Sequence, residues 1–203
     1  VDYSFLDKKE YKDIVLLKLD NEHRLPFFIT RLTAAQFRIN KHRHEYVQIE
    51  YIAKGRVKHY INDNYFELIQ GDIFVIPPYV PHRFGENQDP EAEIIELEFM
   101  PQYINERFSP EETSERFFDF AYLEPFLVTE NKIKPRLNLR GKSRDEVERI
   151  LNEMIVEYRE MDDDFELMFK SLLLKLLIIL SREYKKSEAE IPAHNILLDR
   201  HKE

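Results

Sequence analysis

Cysteine is absent from the 203 residues. The chain therefore has no disulfide framework and no thiolate chemistry, and this suits a reducing compartment, with the cytoplasm as the expected location. Long apolar runs are missing too. The longest, "LLLKLLIIL" from Leu172 to Leu180, is broken by Lys175 and falls far short of the roughly 20 residues of a membrane span. It reads as a buried helix, and no membrane partner is expected. No basic cluster stands out either: the formal charge is −9 and the pI is near 5.4, which argues against DNA binding by this piece alone. The opening "VDYSFLDKKEYKD" is charged from the start and has no signal-peptide pattern. It begins on Val rather than Met, so a longer natural protein is expected.

The length allows one domain with a good core, or one domain with an appended subdomain. Up to about residue 100 the pattern is of short strands with turn punctuation; after it, of helices. Candidate strands are Ile14–Asp20, Pro26–Leu32, Gln36–Ile39, His44–Ala53, Arg56–Ile61, Tyr65–Ile69, Ile73–Ile76, Pro81–Gly85 and Glu93–Met100. Their spacing predicts a β-sandwich or barrel. "NDN" at Asn62 to Asn64 and "QGD" at Gln70 to Asp72 supply tight turns. The prolines of "IPP", Ile76 to Pro78, end the strand before them.

In the second half, Ser109-Pro110-Glu111-Glu112 predicts a helix start that runs to about Tyr122. Ser143 and Glu146 form a capping-box pattern ahead of a longer helix, in which Val147, Ile150, Leu151, Met154, Ile155 and Tyr158 recur on one stripe. "MDDD", Met161 to Asp164, caps a last helix over 165–186, expected to pack antiparallel to the one before it. That last helix is apolar on more than one side. Phe165, Met168, Phe169, Leu172, Leu173, Leu176, Leu177 and Leu180 form a broad face, which Leu174, Ile178 and Ile179 widen beyond what one neighbour covers. A homodimer through this helix is expected. The tail "AEIPAHNILLDRHKE" stops in mid-pattern, with Ile196 to Leu198 left without a partner.

The chemistry concentrates in "NKHRHEYVQIEYIAKG", Asn40 to Gly55. Side chains alternate along a strand, so Val47, Ile49, Tyr51 and Ala53 share a core face while His42, His44, Tyr46, Gln48 and Glu50 share the other. The polar face is either solvated or lines a cavity. A second stretch, "GDIFVIPPYVPHRFGEN" from Gly71 to Asn87, decides between them, because the two together resemble the paired motifs of the cupin superfamily. His42, His44, Gln48 and Gly55 keep the spacing of the first motif; Gly71, Pro77, Tyr79, His82 and Glu86 keep that of the second. The departures are Gln36 for a leading Gly, Gln48 for Glu, Tyr79 for Gly and Glu86 for Asn.

The resemblance implies a cupin barrel, a double-stranded β-helix or jelly roll, with His42, His44, Gln48 and His82 converging on its lumen. Candidate ligand-binding residues are His42, His44, Tyr46, Gln48, Glu50 and His82, and Tyr46, Tyr60, Phe74, Tyr79 and Phe84 are candidate apolar walls. Two histidines at i and i+2 with a third from another strand can hold a divalent metal. Gln48 stands where many cupins have a glutamate, and a neutral amide is a poorer ligand. The candidate metal set is thus His42, His44, Gln48 and His82, with a metal-free site as the equal alternative and no cofactor required.

A cupin followed by a helical hairpin is similar to the N-terminal effector-binding and dimerisation part of AraC/XylS-family transcription regulators, and "GDIFVIPPYVPH" is characteristic of their sensor domains. That resemblance implies a barrel over residues 1–100, a helical dimerisation subdomain over 101–188 and the start of a linker at 189–203. It implies a small-molecule effector, often a sugar, no catalytic residues, and DNA contact only through helix-turn-helix motifs absent from this chain. A metal-dependent cupin isomerase or dioxygenase is the alternative.

Overall fold

The computed structural model describes residues 6–105, apart from 20, 21, 23 and 63, and residues 136–199; for 105 and 188–199 it describes the backbone alone. Among the described residues ten strands form two five-stranded sheets. They are β1 (Val15–Leu17), β2 (Phe27–Thr33), β3 (His42–His44), β4 (Val47–Lys54), β5 (Arg56–Ile61), β6 (Asn64–Ile69), β7 (Asp72–Ile76), β8 (His82–Phe84), β9 (Glu93–Phe99) and β10 (Arg136–Asn138). The first sheet runs β1-β3-β8-β5-β6 and the second β10-β7-β4-β9-β2. Helix α1 (Pro101–Asn105) lies between β9 and β10, and α2 (Gly141–Glu160) and α3 (Phe165–Asp199) follow β10.

The second sheet is covered on both sides. Its outward residues Phe27, Ile29, Val47, Ile49, Tyr51, Ile73, Val75, Ile95, Leu97 and Phe99 join the buried stripes of α2 and α3 in one core. Phe27 stacks on Phe169 with ring centroids 4.0 Å apart, and each such buried side chain contributes about 1.5–3 kcal/mol. The inward residues Ile52, Phe74, Ile76 and Ile94 meet Val57, Ile61, Leu68 and Phe84 of the first sheet in a second core inside the barrel. The core face predicted for β4 thus looks at the helices and its polar face looks into the lumen.

Several boundaries differ from the sequence reading. The strand expected over 44–53 is two strands: the chain leaves the first sheet after His44, turns at Glu45 and Tyr46, and enters the second at Val47. Alternation alone cannot reveal such a corner, because the inward parity survives it. Gln36–Ile39 is no strand; Ala34–Gln36 forms a 3-10 turn closed by a capping box between Thr33 and Gln36. Helix α2 starts at Gly141 behind Arg140, so Ser143 lies inside it rather than at its cap. Helix α3 extends past 186 to Asp199. Met168 is exposed, not part of the buried face, and Leu174, Ile178 and Ile179 are half-buried. Strand β10 was not foreseen: Asp72, fully buried on β7, holds it through Arg136 at 2.9 Å and Asn138 at 2.7 Å. The expected Pro110–Tyr122 helix and the side chains of Ile196 to Leu198 lie outside the described residues.

Candidate functional site

Four histidines gather in the barrel. His42 on β3 and His82 on β8 are register partners with ring centroids 4.2 Å apart; His44 lies 4.8 Å and His59, on β5, 5.6 Å from His82. The ring Nδ1 of His42 faces the carbonyl of Asn40 at 2.8 Å, that of His44 the carbonyl of Tyr46 at 2.6 Å, and that of His82 the carbonyl of Val80 at 3.1 Å. A carbonyl only accepts, so each Nδ1 carries the proton and each Nε2 keeps a lone pair. Burial pushes His42 down to about 4 and His44 and His59 to about 3, and it holds His82 well below the usual imidazole range. All four rings are neutral at pH 7.

Opposite them the register of β4 and β9 pairs Gln48 with Glu98 and Glu50 with Glu96. Burial raises all three carboxyls: Glu96 to about 8, Glu98 to about 7 despite hydrogen bonds from Tyr46 and Gln48, and Glu50 well above the ordinary range. Tyr46 stacks flat on His44 at 4.4 Å, and burial raises its own hydroxyl.

A cavity of about 240 Å³ opens over this cluster. Its polar lining comes from Thr30, Gln36, Arg38, His42, Tyr46, Gln48, His82, Glu96 and Glu98, and its apolar walls from Leu17, Phe28, Leu32 and Phe84. Of the residues nominated from sequence, His42, Tyr46, Gln48 and His82 line it, while His44 and Glu50 are fully buried outside its lining. Among the nominated walls, Tyr46 and Phe84 line the cavity and Phe74 belongs to the inner core. Tyr60 instead packs at a tilt against Tyr65 and carries Arg83 over its ring, and Tyr79 packs on the helix-side core. Tyr79 adopts φ 66, the left-handed conformation for which the motif's glycine is suited. Sequence reasoning missed Glu96, Glu98, Arg38 and His59. The signal was present for three of them: Glu96 and Glu98 alternate with Ile95, Leu97 and Phe99, and His59 shares parity with the core residues Val57 and Ile61.

The donor chemistry of the motif set suits a divalent metal in part. Three imidazoles offer unprotonated nitrogens, and the Nε2 of His44 is buried without a partner. Gln48 brings a neutral amide whose Oε1 is also buried and unpartnered. With neutral nitrogen and amide donors alone, that set would rely on Glu98 next to it for charge compensation.

Fold and site together define a cupin-type barrel with a polar lumen and helices packed on one sheet. The chain belongs to the AraC-like ligand binding domain family, whose model matches residues 24–177. Among solved structures it is similar to apo ToxT from Vibrio cholerae strain SCE256, at 12% identity and TM-score 0.45 over 82% of this chain and 57% of that one. A Cupin 2 conserved barrel domain protein from Salinispora arenicola CNS-205 matches at 15% identity and TM-score 0.32 over 37% of this chain and 64% of that one. The DMSP lyase DddQ from Ruegeria pomeroyi DSS-3 matches at 18% identity and TM-score 0.30 over 36% of each chain. No curated protein matches the chain. Among the described residues no helix is long and apolar enough to cross a membrane.

Proposed function

We propose that this domain is the effector sensor of a cytoplasmic transcription regulator, binding a small hydroxylated molecule, a sugar, in the barrel. The observation that carries the reading is the lining of the 240 Å³ cavity, where neutral imidazoles, an amide, a phenol and carboxyls stand beside apolar walls. Such a set gives alternating donors and acceptors to hydroxyls and a flat apolar face to a ring. The same strands that line the cavity carry α2 and α3 on their reverse side, so occupancy of the lumen bears on the helices through one layer of backbone. Tyr51 makes this contact directly, its hydroxyl donating to Glu148 of α2 at 3.1 Å while its neighbour Glu50 faces inward. The helices mediate a homodimer, and DNA is contacted by a helix-turn-helix domain outside this chain.

A panel of sugars read by melting temperature tests the proposal. A saturable shift with one class of sugar supports it, and a flat panel opposes it. The second reading, a metal-dependent isomerase or dioxygenase, draws on the unprotonated Nε2 atoms. It would show turnover in the metal-loaded protein, where a sensor shows binding alone.

A further inference from the structure

Beside the cavity, Glu50 and His59 form a polar pair that the sensing reading does not use. Both are fully buried, neither carboxylate oxygen of Glu50 has a hydrogen-bond partner, and neither ring nitrogen of His59 has one. Their closest approach, His59 Nε2 to Glu50 Oε1, is 3.7 Å, too long for a hydrogen bond between them. Buried polar groups in folded proteins are almost always satisfied, so four unpaired atoms on two neighbouring buried side chains call for a further partner. His82 completes the group. Ligand atoms of Glu50, His59 and His82 all lie within 4.8 Å of one another, the one set of three His, Asp or Glu side chains among the described residues to do so.

We propose that Glu50, His59 and His82 hold a divalent transition metal beside the cavity, a centre that shares His82 with the motif set but uses none of His42, His44 and Gln48. Two imidazoles and one carboxylate are a donor set for zinc, iron or manganese, with at least one position left open. His82 has its Nδ1 proton fixed on Val80, which turns Nε2 into a ligand and sets its orientation. Glu50 supplies the negative charge that Gln48 cannot, and a cation removes the cost of an ionised carboxylate in this interior. His82 also lines the cavity, so the centre and the space an effector would fill share one side chain.

The ion is tested without any effector, so failure of the sensor reading leaves the test intact. The 203-residue chain is stripped with chelator and titrated with cobalt(II), read by visible absorption and calorimetry. One cobalt per chain with the intense visible bands of a four- or five-coordinate site is expected, displaced by zinc. Glu50→Gln and His59→Ala should each weaken binding by ~100-fold or more, while His44→Ala changes it little. Glu50→Gln removes no hydrogen bond and keeps the size of the side chain, so it should melt as the metal-free parent does, and this separates lost ligation from lost folding. His59→Ala also gives up ring contacts with Phe74 and Phe84 and should melt lower. No cobalt binding by the parent chain overturns the proposal, as does binding that survives Glu50→Gln and His59→Ala but disappears with His44→Ala.

Discussion

Gln48 donates from its Nε2 to Oε1 of Glu98 at 3.2 Å, across a register pair of β4 and β9. The carboxylate missing from the fourth motif position therefore stands one strand away, bonded to the amide that replaces it. Gln48→Glu would set two carboxylates against each other in a buried wall, where like charges cannot both ionise cheaply. The variant should lose about 1–3 kcal/mol relative to the parent at pH 8, with the gap closing toward pH 6 as the pair takes up a shared proton. Chemical denaturation at the two pH values measures this, and an equal loss at both would show that charge is not the cause.

The unliganded domain should have its greatest stability in mildly acid solution. Glu98 and Glu96 have folded values near 7 and 8 against an ordinary 4.5, so their contribution is complete below 4.5 and is lost as pH rises through 7 to 8. His42 and His44 have folded values near 4 and 3 against 6.5, so theirs is complete above 6.5 and is lost as pH falls toward 4 and 3. Above pH 6.5 only the carboxyls change, and the melting temperature should fall from there to pH 8.5. Glu98→Gln should flatten that limb. A melting temperature that rises over the same interval would contradict the assignment.

For a sugar that binds, a concentration of about 100 times its dissociation constant should stabilise the fold by about 2.7 kcal/mol. His82→Ala and Gln48→Ala should abolish the shift and keep the unliganded fold, since both side chains line the cavity. Retention of the shift by both would place the sugar elsewhere.

Leu174 and Ile178 on α3 are half-buried, in contrast to Leu173 and Leu177, which are fully enclosed. Leu174→Glu combined with Ile178→Glu should convert a homodimer into a folded monomer, as read by sedimentation. An unchanged oligomer would move the interface to another surface, such as the exposed Leu167 and Met168 one turn and more upstream.

Gly55 closes the turn after β4 with φ +71, and a Cβ there would stand 2.7 Å from Asp89 Oδ2 and 3.0 Å from the Cα of Ala92. Asp89 cannot simply withdraw, because the same oxygen accepts the amide of Arg56 at 3.2 Å. Gly55→Ala should cost about 1–3 kcal/mol by denaturant titration, more than Gly141→Ala, whose Cβ meets nothing within 4 Å.

The inward and outward faces of β4 were legible in the sequence because alternation at period two is a local property, and so were the turns at Asn62 and Gly71, both of which adopt positive φ. Pairing is not local. Glu96 and Glu98 enter the site only because β9 lies beside β4, and His59 only because β5 crosses beside β8. Strand β10 is held by Asp72 from more than sixty positions earlier in the chain, a link that no window of sequence contains. Gln48 and His82 carried enough motif spacing to be found; Glu50 was found by parity alone, and its lack of any partner was visible only in three dimensions.

Because β4 has buried neighbours on both of its faces, its length carries no slack. One residue inserted between Val47 and Gln48 would turn every later side chain of the strand to the other face, sending Glu50 under the helices and Tyr51 into the barrel interior. Recognition in this barrel can therefore change by substitution at the inward positions, while changes of length are confined to the turns. A library built to alter what the domain senses should vary identity at positions 48, 96 and 98, which line the cavity, and leave the spacing of the strands untouched.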